Sequence, residues 1–434
     1  YQTYVFSRNH LNNSATKYQN NIEVPANKLL DYNSQEIENK IRIEHNTKKK
    51  GWKINAGIGL ENSTYTNNTF NKIVANGQVL TLNFNSTLEV NKLALFASAG
   101  RNFLSNQLSA NIGLRTDIND YSNQMSNLLD QLSPRLAVSY NLNDKWSINA
   151  NMGKYYQLPP YTVLGYRDSI GNLTNKSNGV TYIGATHYVT GLNFSPTDYS
   201  KITVEGFYKA YNNYPLSVNN NVSLANLGGD FGVIGNEPVT PQSKGRAYGL
   251  ELLMQQKLSK SIYGILSYTF VKSEFTNGSN AYTASSWDNG HILNLTAGKK
   301  LKKNWEIGVK FRLLGGAPYT PYNESLSALK TIWDISNQGV LNWNSINTER
   351  NPLSHGMDVR VDKKWFFNKW SLNLYFDIQN MYNFQAKGQS FLDTVKDSNG
   401  NPVTDPTNTN AYLLKEIENT SGTLLPSVGL LLEF

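Results

Sequence analysis

Charged side chains in this 434-residue sequence recur at every second position of several segments. Arg42 and Glu44 alternate with Ile41 and Ile43. Because successive side chains of a β-strand point to opposite faces, this spacing gives a strand one charged face and one apolar face. A charged face of this kind can bind a ligand, dock another protein surface or line an aqueous lumen. Later segments repeat the spacing with Lys310, Arg312, Asp358, Arg360 and Asp362.

The sequence contains no recognisable catalytic motif. It has no Cys, which excludes disulfides and thiolate metal sites, and its five His residues show no paired ligand spacing. Nucleophile-elbow and phosphate-loop patterns do not occur either. His291 is expected to be a rim residue at the start of a strand, with a metal or proton-linked site as the weaker alternative. The sequence therefore predicts a protein that is not an enzyme and needs no cofactor.

Acidic residues in the loop segments are candidates for ion binding. Ca²⁺ prefers oxygen ligands, but the acidic residues here do not have EF-hand spacing. Asp in loops more often accepts hydrogen bonds from nearby backbone N–H groups. We expect turn formation for most of these residues, and loop Ca²⁺ is the alternative. The set comprises Asp168, Asp230, Glu237, Asp393, Asp397 and Asp405.

Aromatic residues are concentrated near one set of predicted strand ends. Aromatic faces can stack on sugars or on apolar groups of a ligand, whereas rings at the ends of membrane strands form an interfacial girdle. A girdle does not account for Trp333 and Trp343, which lie deep inside a long loop, so ligand contact, partner contact and a loop-internal core remain open for them. The candidates for ligand or partner contact are Tyr156, Tyr161, Tyr166, Tyr211, Tyr214, Tyr319, Tyr322, Trp333 and Trp343.

The elements that must position these residues are long β-strands. Period-two alternation recurs from end to end, as in 52–60, 108–115 and 305–313. Many such segments reach about ten residues, the length a membrane-spanning strand needs, whereas globular strands usually have ~5–6. No run approaches the ~18 apolar residues of a membrane helix, which excludes a helical membrane protein. A charge facing lipid near the midplane costs ~2–4 kcal/mol for Arg or Lys, so the charged faces are expected to line a lumen.

The predicted connections between strands form a short set and a long set that largely alternate. Outer-membrane barrels have short turns on the periplasmic side and long loops outside. We therefore predict an all-β, antiparallel transmembrane β-barrel with roughly sixteen strands in this sequence. The short connections are 49–51, 104–106, 143–144, 259–260, 302–303 and 366–369, and the long ones are 9–35, 159–185, 216–244, 319–354 and 383–422.

The segment from Leu424 to Phe434 is the predicted closing strand. Val428, Leu430, Leu432 and Phe434 share its apolar face, a pattern typical of the strand that barrel-assembly machinery is thought to read. This strand must pair with another one, because an open sheet edge is not stable in lipid. The net charge of +8 is scattered rather than clustered, which argues against nucleic-acid binding.

The sequence resembles the C-terminal part of a TonB-dependent outer-membrane receptor of the Bacteroidota type. The resemblance lies in SPRLAVSYNLNDKWSINANMGKYYQLPPY (133–161), GRAYGLEL (245–252), WDNGHILNL (287–295), GGAPYTPY (315–322) and the terminal strand. It implies a twenty-two-stranded barrel filled by an N-terminal plug. Neither the plug nor a TonB-binding box is visible here. We expect a piece of a longer or split chain, because 1–8 looks like the tail of a strand; a reduced barrel of about sixteen strands is the alternative.

The resemblance implies outer-membrane localisation and TonB-driven uptake of a ligand bound by the extracellular loops. Its expected partners are outer-membrane lipid and lipopolysaccharide, the plug domain, TonB and a surface lipoprotein. The charged inner faces would then form a substrate path or a plug-docking wall, or simply a solvated lumen. A passive porin and a non-transporting scaffold are the rival functions. The ligand cannot be predicted, because one fold serves many ligands.

Overall fold

A single antiparallel sheet of sixteen long strands dominates the computed structural model, which describes residues 2–16, 28–75, 78–227 and 235–434. Each strand pairs with the next one along the chain. This arrangement confirms the predicted all-β class and strand number. The strands are β1 (Gln2–Thr16), β2 (Lys28–Lys49), β3 (Trp52–Ala75), β4 (Gln78–Phe103), β5 (Leu108–Asn119), β6 (Ser133–Asn141), β7 (Trp146–Gln157), β8 (Ile183–Thr197), β9 (Ser200–Ser217), β10 (Val239–Ser259), β11 (Ile262–Thr276), β12 (His291–Lys300), β13 (Trp305–Leu314), β14 (Ser354–Phe366), β15 (Ser371–Gln379) and β16 (Leu425–Glu433).

Helices are short and lie in the connections. None of the helices in the described ranges is long and apolar enough to cross a membrane. The α-helices of the described residues are α1 (Tyr161–Leu164), α2 (Thr174–Ser177), α3 (Glu324–Ala328) and α4 (Lys330–Ser336), and 3₁₀ turns occupy Leu104–Asn106, Leu224–Asn226, Lys302–Asn304 and Trp343–Ser345. Short strands in the connections are Tyr282–Ala284, Pro318–Tyr319, Glu349–Arg350, Ala386–Lys387, Phe391–Thr394, Thr404–Asp405, Asn408–Tyr412, Leu414–Ile417 and Thr420–Ser421.

Two kinds of connection alternate along the sheet. The β2–β3 and β10–β11 turns contain two residues each, 50–51 and 260–261, whereas 158–182 joins β7 to β8 and 315–353 joins β13 to β14. Because neighbouring strands are antiparallel, alternation places all long connections at one end of the sheet. The segregation predicted from the sequence is thus observed.

The predicted long loop 9–35 was wrong in its bounds. The strands β1 and β2 occupy 2–16 and 28–49, so pairing continues well into this range, and 17–27 lies outside the described residues. Polar side chains dominate the strand part of this range, and they lack the apolar face by which a strand is recognised in a sequence. For the same reason β3 and β4 are longer than their segments of alternating apolar and polar residues.

The sheet has an apolar face and a charged face. Ile112, Leu136 and Met152 are direct neighbours on β5, β6 and β7, and all three side chains are exposed on the apolar face. The charged face is concave: Asn236, just before β10, donates to the Thr69 hydroxyl of β3 at 3.2 Å, although six strands separate β3 from β10. We call the charged side the inner face and the apolar side the outer face.

A hydrophobic core lies on the inner face, at the end with the long connections. The connection 158–182 folds back onto the sheet there, and Tyr65 and Val90 of the wall pack with Val163 and Leu164 of the connection. All four side chains are nearly inaccessible to solvent. The long connection between β7 and β8 is therefore part of the inner wall rather than a free surface loop.

The two outermost strands of the sheet pair on one side only within the described residues. β1 pairs with β2, β16 pairs with β15, and the structure shows no pairing between β1 and β16. The predicted terminal strand is present, and Pro426 stands second in it, where a missing N–H disturbs the ladder least. Its role in assembly stays a prediction.

Two glycines on the paired strands β9 and β10 offer a matched test of sheet packing. A Cβ on Gly249 would lie 1.9 Å from the carbonyl oxygen of Phe270, whereas a Cβ on Gly206 would meet only Leu250, at 3.5 Å. We expect Gly249→Ala to destabilise the sheet by about 1–3 kcal/mol, because the backbone must shift. Gly206→Ala should leave stability unchanged. Thermal unfolding followed by electrophoretic mobility of the folded form measures both, and equal melting temperatures would contradict this packing.

Candidate ligand-binding site on the inner wall

A pocket of about 430 Å³ opens on the inner face of β2–β7, and we call it the inner-wall pocket. Its walls combine cationic and aromatic side chains. The charged and aromatic residues that line it are Lys40, Arg42, Lys92, Arg115, Arg135, Glu61, Asp117, Phe96, Tyr155, Tyr156 and Tyr182. Four of the five cations form ion pairs, Lys40 with Glu38, Arg42 with Glu44, Lys92 with Glu61 and Arg115 with Asp117. Arg135 is the cation of the lining that remains to attract an anion.

Stacking on aromatic rings orients the arginines of this pocket. The guanidinium of Arg42 lies 4.3 Å from the centre of the Phe96 ring, and that of Arg135 lies 4.4 Å from the centre of Tyr155. Arg42 also pairs with Glu44, at 2.8 Å. No carboxylate of the described residues lies within ion-pair distance of Arg135. A guanidinium over a ring is attracted by the ring face, and the N–H donors that no protein carboxylate takes, as in Arg135, stay available for a carboxylate or phosphate.

The connection 158–182 anchors to the wall beside the pocket through Tyr161. The Tyr161 hydroxyl donates to Oε1 of Glu38 at 2.9 Å and accepts from the Lys92 ammonium. Its ring stacks against Tyr65 with 6.1 Å between the ring centres. Glu38 also pairs with Lys40 at 2.6 Å, so four strand and loop residues form one charged network.

A fully buried amide, Asn175, fixes the remainder of this connection. Its Nδ2 donates to the carbonyl oxygens of Val163 at 2.7 Å and Glu237 at 2.9 Å, and its Oδ1 accepts from the backbone N–H of Val239 at 2.8 Å. The side chain therefore ties 158–182 to the segment before β10. A buried amide with three satisfied bonds specifies one arrangement, because any other would leave polar groups unpaired.

Burial changes the acidity of several groups in this layer. Desolvation raises the pKa of Tyr182 to about 12, although its hydrogen bond from Asn119 opposes the shift. Desolvation also raises the pKa of Tyr161. The pKa of Glu237 is raised by desolvation as well, and the Ser217 hydroxyl that donates to its carboxylate lowers it only partly. The tyrosines are thus neutral hydrogen-bonding groups at any physiological pH.

The predicted aromatic candidates divide into buried and accessible residues. Tyr156 lines the inner-wall pocket. Tyr161 and Tyr166 are 8% exposed and Trp333 only 2%, so all three pack within the wall and loops. The Tyr166 ring meets Phe84 edge-on, with 5.3 Å between centres.

The other aromatic candidates lie away from the pocket. Tyr211 and Tyr214 pack on Phe275, with ring centres 5.4 and 4.7 Å apart. Tyr319 lies in a short strand pairing with 349–350, Tyr322 forms an isolated bridge with Leu341, and Trp343 begins a 3₁₀ turn. Contact of any of these with a ligand or partner stays a prediction.

The predicted charged residues fall into two groups on the inner face. Arg42 and Glu44 belong to the pocket region on β2. The others form pairs on β13 and β14: Arg312 with Asp358 at 3.2 Å, and Arg360 with Asp362 at 2.8 Å. Lys310 faces Asp358 directly in the register. Lumen lining by these residues stays a prediction.

Sequence reasoning missed several residues of the inner-wall pocket. Arg115 and Arg135 alternate with leucines in the sequence, so their face was available as a signal. Lys92 was not recognisable, because its partners Glu61 and Tyr161 come from distant segments. Tyr155 was not among the predicted aromatic candidates, although it stands next to Tyr156 at the end of β7.

Loop carboxylates mainly cap turns. Asp168 accepts from the backbone N–H groups of Asn172 at 2.9 Å and Ile170 at 3.1 Å, and the bond from Asn172 is the main reason that its pKa is lowered. Asp397 accepts from Asn399 and Asn401 in the same way. Within the described ranges no group of three or more potential metal ligands comes together, and Asp230 lies outside them. Loop Ca²⁺ stays an untested prediction.

The sequence matches a family model over most of its length. The model describes the TonB dependent receptor-like β-barrel and covers residues 1–381. The chain belongs to this family. Its members are outer-membrane transporters of Gram-negative bacteria rather than enzymes, so the strands described above lie in the outer membrane. The predicted family and localisation are confirmed.

Solved structures of TonB-dependent receptors share the fold. The ferripyoverdine receptor of the outer membrane of Pseudomonas aeruginosa aligns with 99% of this chain and 54% of its own, at 14% identity and a TM-score of 0.59. The ferric yersiniabactin uptake receptor FyuA of Yersinia pestis aligns with 100% and 59%, at 9% identity and a TM-score of 0.60. The outer membrane transporter YddB of Escherichia coli aligns with 93% and 55%, at 12% identity and a TM-score of 0.56.

The chain spans little more than half the length of these solved receptors. No curated protein matches it. The Bacteroidota type, the position within a longer barrel and the plug therefore stay predictions.

The anchor at Tyr161 can be tested by removing its hydroxyl. Tyr161→Phe keeps the ring on Tyr65 but loses the bonds with Glu38 and Lys92, and hydrogen bonds to charged groups are each worth about 1.5–3 kcal/mol. We expect amide hydrogen exchange across 158–182 to accelerate about tenfold or more. Tyr166→Phe is the matched control, because no hydrogen bond to its hydroxyl is found among the described residues. Equal exchange in the two variants would contradict the anchor.

The raised pKa of Glu237 predicts a pH dependence of the same layer. A folded-state pKa above that of the unfolded chain gives stability below the ordinary glutamate pKa, and this stability is lost as the pH rises through the raised value. Glu237→Gln should therefore slow hydrogen exchange of 158–182 relative to the wild type at pH 8, with little difference at pH 4. If the exchange rates of the variant and the wild type differed equally at pH 8 and pH 4, a raised Glu237 pKa would not be the cause.

Proposed function

We propose that this chain forms the wall of a TonB-dependent importer and that its inner-wall pocket binds an anionic ligand on the way through the barrel. The observation that supports the proposal is the cationic lining of this pocket. Arg135 offers a guanidinium with no carboxylate partner among the described residues, and its Cζ lies over the Tyr155 ring at 4.4 Å from the ring centre. Flat, anionic groups fit such a surface, because they stack on the ring and accept in-plane hydrogen bonds.

The folded-in connection 158–182 suits the same function. It leaves the pocket facing the lumen, while Tyr161 and Asn175 keep the connection against the wall. A ligand then meets preformed cationic groups, which lowers the ordering cost of binding.

Among the described residues β1 and β16 each have one unpaired edge, and this supports a larger barrel. Backbone groups on an open edge cannot be hydrated within the hydrocarbon layer, where each costs several kcal/mol. We propose that further strands of the receptor pair with both edges and that a plug domain occupies the lumen and contacts TonB. A surface lipoprotein acting on the extracellular loops is a further proposed partner.

Uptake can be measured without knowing the ligand. Cells that produce the full-length receptor, and cells that lack it, are incubated with an extract of rich medium supplemented with ferric citrate, and depletion is followed by mass spectrometry. We expect at least one anionic compound to be depleted only when both the receptor and TonB are present. Arg135→Ala should lower that depletion about tenfold, the value of one charged hydrogen bond. Arg101→Ala, which removes a guanidinium near Trp52 at the short-turn end, is the matched control.

Two outcomes would contradict active uptake. Depletion that continues without TonB would identify a passive porin. Absence of any receptor-dependent depletion, together with co-purification of a lipoprotein, would identify a scaffold.

A further inference from the structure

A wide groove lies on the outer face, away from the inner-wall pocket. It has a volume of about 940 Å³ and extends across β6–β11. Its apolar lining consists mainly of Leu136, Val138, Met152, Tyr208, Leu250 and Phe270. Because this face meets the hydrocarbon layer, the groove is open to lipid.

The register explains why the outer face is hollow at this place. Ala150, Thr190, Gly206 and Leu250 are consecutive neighbours on β7, β8, β9 and β10. Three of these four side chains are small, so they form a floor. The adjacent row, one step nearer the long connections, carries Met152, Tyr188, Tyr208 and Tyr248 in the same strands. The bulky row forms the upper wall of the groove.

Two cations lie at the β10–β11 end of this bulky row: Lys272 pairs with Tyr248 in the row itself, and Arg246 lies in the next row toward the long connections. Arg246 donates to the Glu274 carboxylate at 2.8 Å, and the Lys272 ammonium pairs with the same carboxylate at 2.7 Å. The side chain of Glu274 is only 10% exposed, whereas those of Arg246 and Lys272 are 36% and 45% exposed. A ligand that approaches from outside therefore contacts Arg246 and Lys272, whereas the Glu274 carboxylate that they share is buried.

A third cation lies farther along the sheet, three strand spacings or about 14 Å from Arg246. Lys154 lies in the same register row as Arg246, through Thr186 and Ala210. It forms no ion pair with any described residue. Three cations against one carboxylate leave a net charge of +2 at this end of the groove.

The cationic end and the apolar end of the groove lie in the order of the headgroups and acyl chains of the outer leaflet. Lys154 lies three residues before the end of β7, where the long connection 158–182 begins, and Arg246 shares its register row. The long connections are the extracellular ones in a barrel of this family. Tyrosines at the upper wall lie where aromatic side chains favour the headgroup level. The cations are thus at headgroup height and the small-residue floor is at acyl-chain height.

We propose that this groove binds one phosphorylated lipid of the outer leaflet, with an acyl chain on the floor of Ala150, Thr190 and Gly206 and a phosphate on Arg246 and Lys272. Charge complementarity favours this occupant over a second copy of the chain, because the same face of a second copy would bring another cationic cluster. A zwitterionic lipid lacks the excess negative charge that the cluster accommodates.

The test uses the full-length receptor and bisphosphorylated, hexa-acylated lipid A as the probe. Receptor in neutral detergent is titrated with this lipid, and bound copies are counted by native mass spectrometry. We expect one tightly bound lipid A, with weaker binding of a preparation from which the phosphates have been removed. The double variant Arg246→Ala, Lys272→Ala should weaken binding roughly tenfold or more, since each basic residue near a membrane surface contributes about fivefold.

Matched variants separate the groove from general effects. Gly206→Leu fills the floor, where the nearest side-chain atom to an added Cβ is 3.5 Å away, and it should also weaken lipid A binding. Ala297→Leu enlarges an outer-face residue on β12, outside the groove, and should leave binding unchanged. Lys209→Ala removes a cation from the inner face of β9 and should do the same. Thermal unfolding of each variant shows that the barrel is intact.

Equal lipid A binding by the wild type and by the double variant would overturn the proposal. So would equal binding of phosphorylated and dephosphorylated lipid. A receptor dimer that Gly206→Leu dissociates, with no lipid A bound, would assign the groove to contact between copies of the chain.

Discussion

In a lipid bilayer every backbone N–H and C=O must find its partner within the protein, because the hydrocarbon layer offers no water. An antiparallel meander meets this constraint with each strand bonded to its neighbours in sequence, and that is the order of β1–β16. The meander in turn segregates short and long connections to opposite ends. It also gives the sheet two chemically distinct faces, which is why the lipid groove and the inner-wall pocket can occupy the same strands independently.

The long connections pack against the sheet and against one another. The segment 158–182 buries Val163 and Leu164 against the inner face, and Asn175 joins it to the segment before β10. Asn347 makes a similar link elsewhere, because its side chain donates to the carbonyl oxygens of Asn226 at 2.9 Å and Ala284 at 2.7 Å. The side-chain amide of Asn347 thereby links three connections, 218–238, 277–290 and its own, 315–353. The extracellular end is a packed layer whose buried amides determine which inner surfaces stay open.

Period-two alternation predicted the strands from Trp52 onward and the terminal strand well, since a membrane face and a lumen face impose opposite polarity on successive residues. It failed where β2, β3 and β4 rise beyond the bilayer, because residues such as Asn67 and Thr69 face the loop layer and carry no apolar signal. The charged pairs on β14 followed from local spacing. The pocket did not, because Tyr161, Glu38 and Lys92 meet only after a distant connection folds back, and single-sequence patterns contain no information on such contacts. For Trp333 the sequence left ligand contact, partner contact and a loop-internal core open. Its burial likewise depends on contacts between distant connections, which the sequence does not reveal.

We propose that this sheet is one section of a larger closed barrel whose inner wall carries a folded-in connection. Cryo-electron microscopy of the full-length receptor in lipid nanodiscs tests it most directly. We expect β1 and β16 each to pair with additional strands and Tyr161 to contact Glu38 on the inner wall. Direct pairing of β16 with β1, closing a sixteen-stranded barrel around an open lumen, would contradict it.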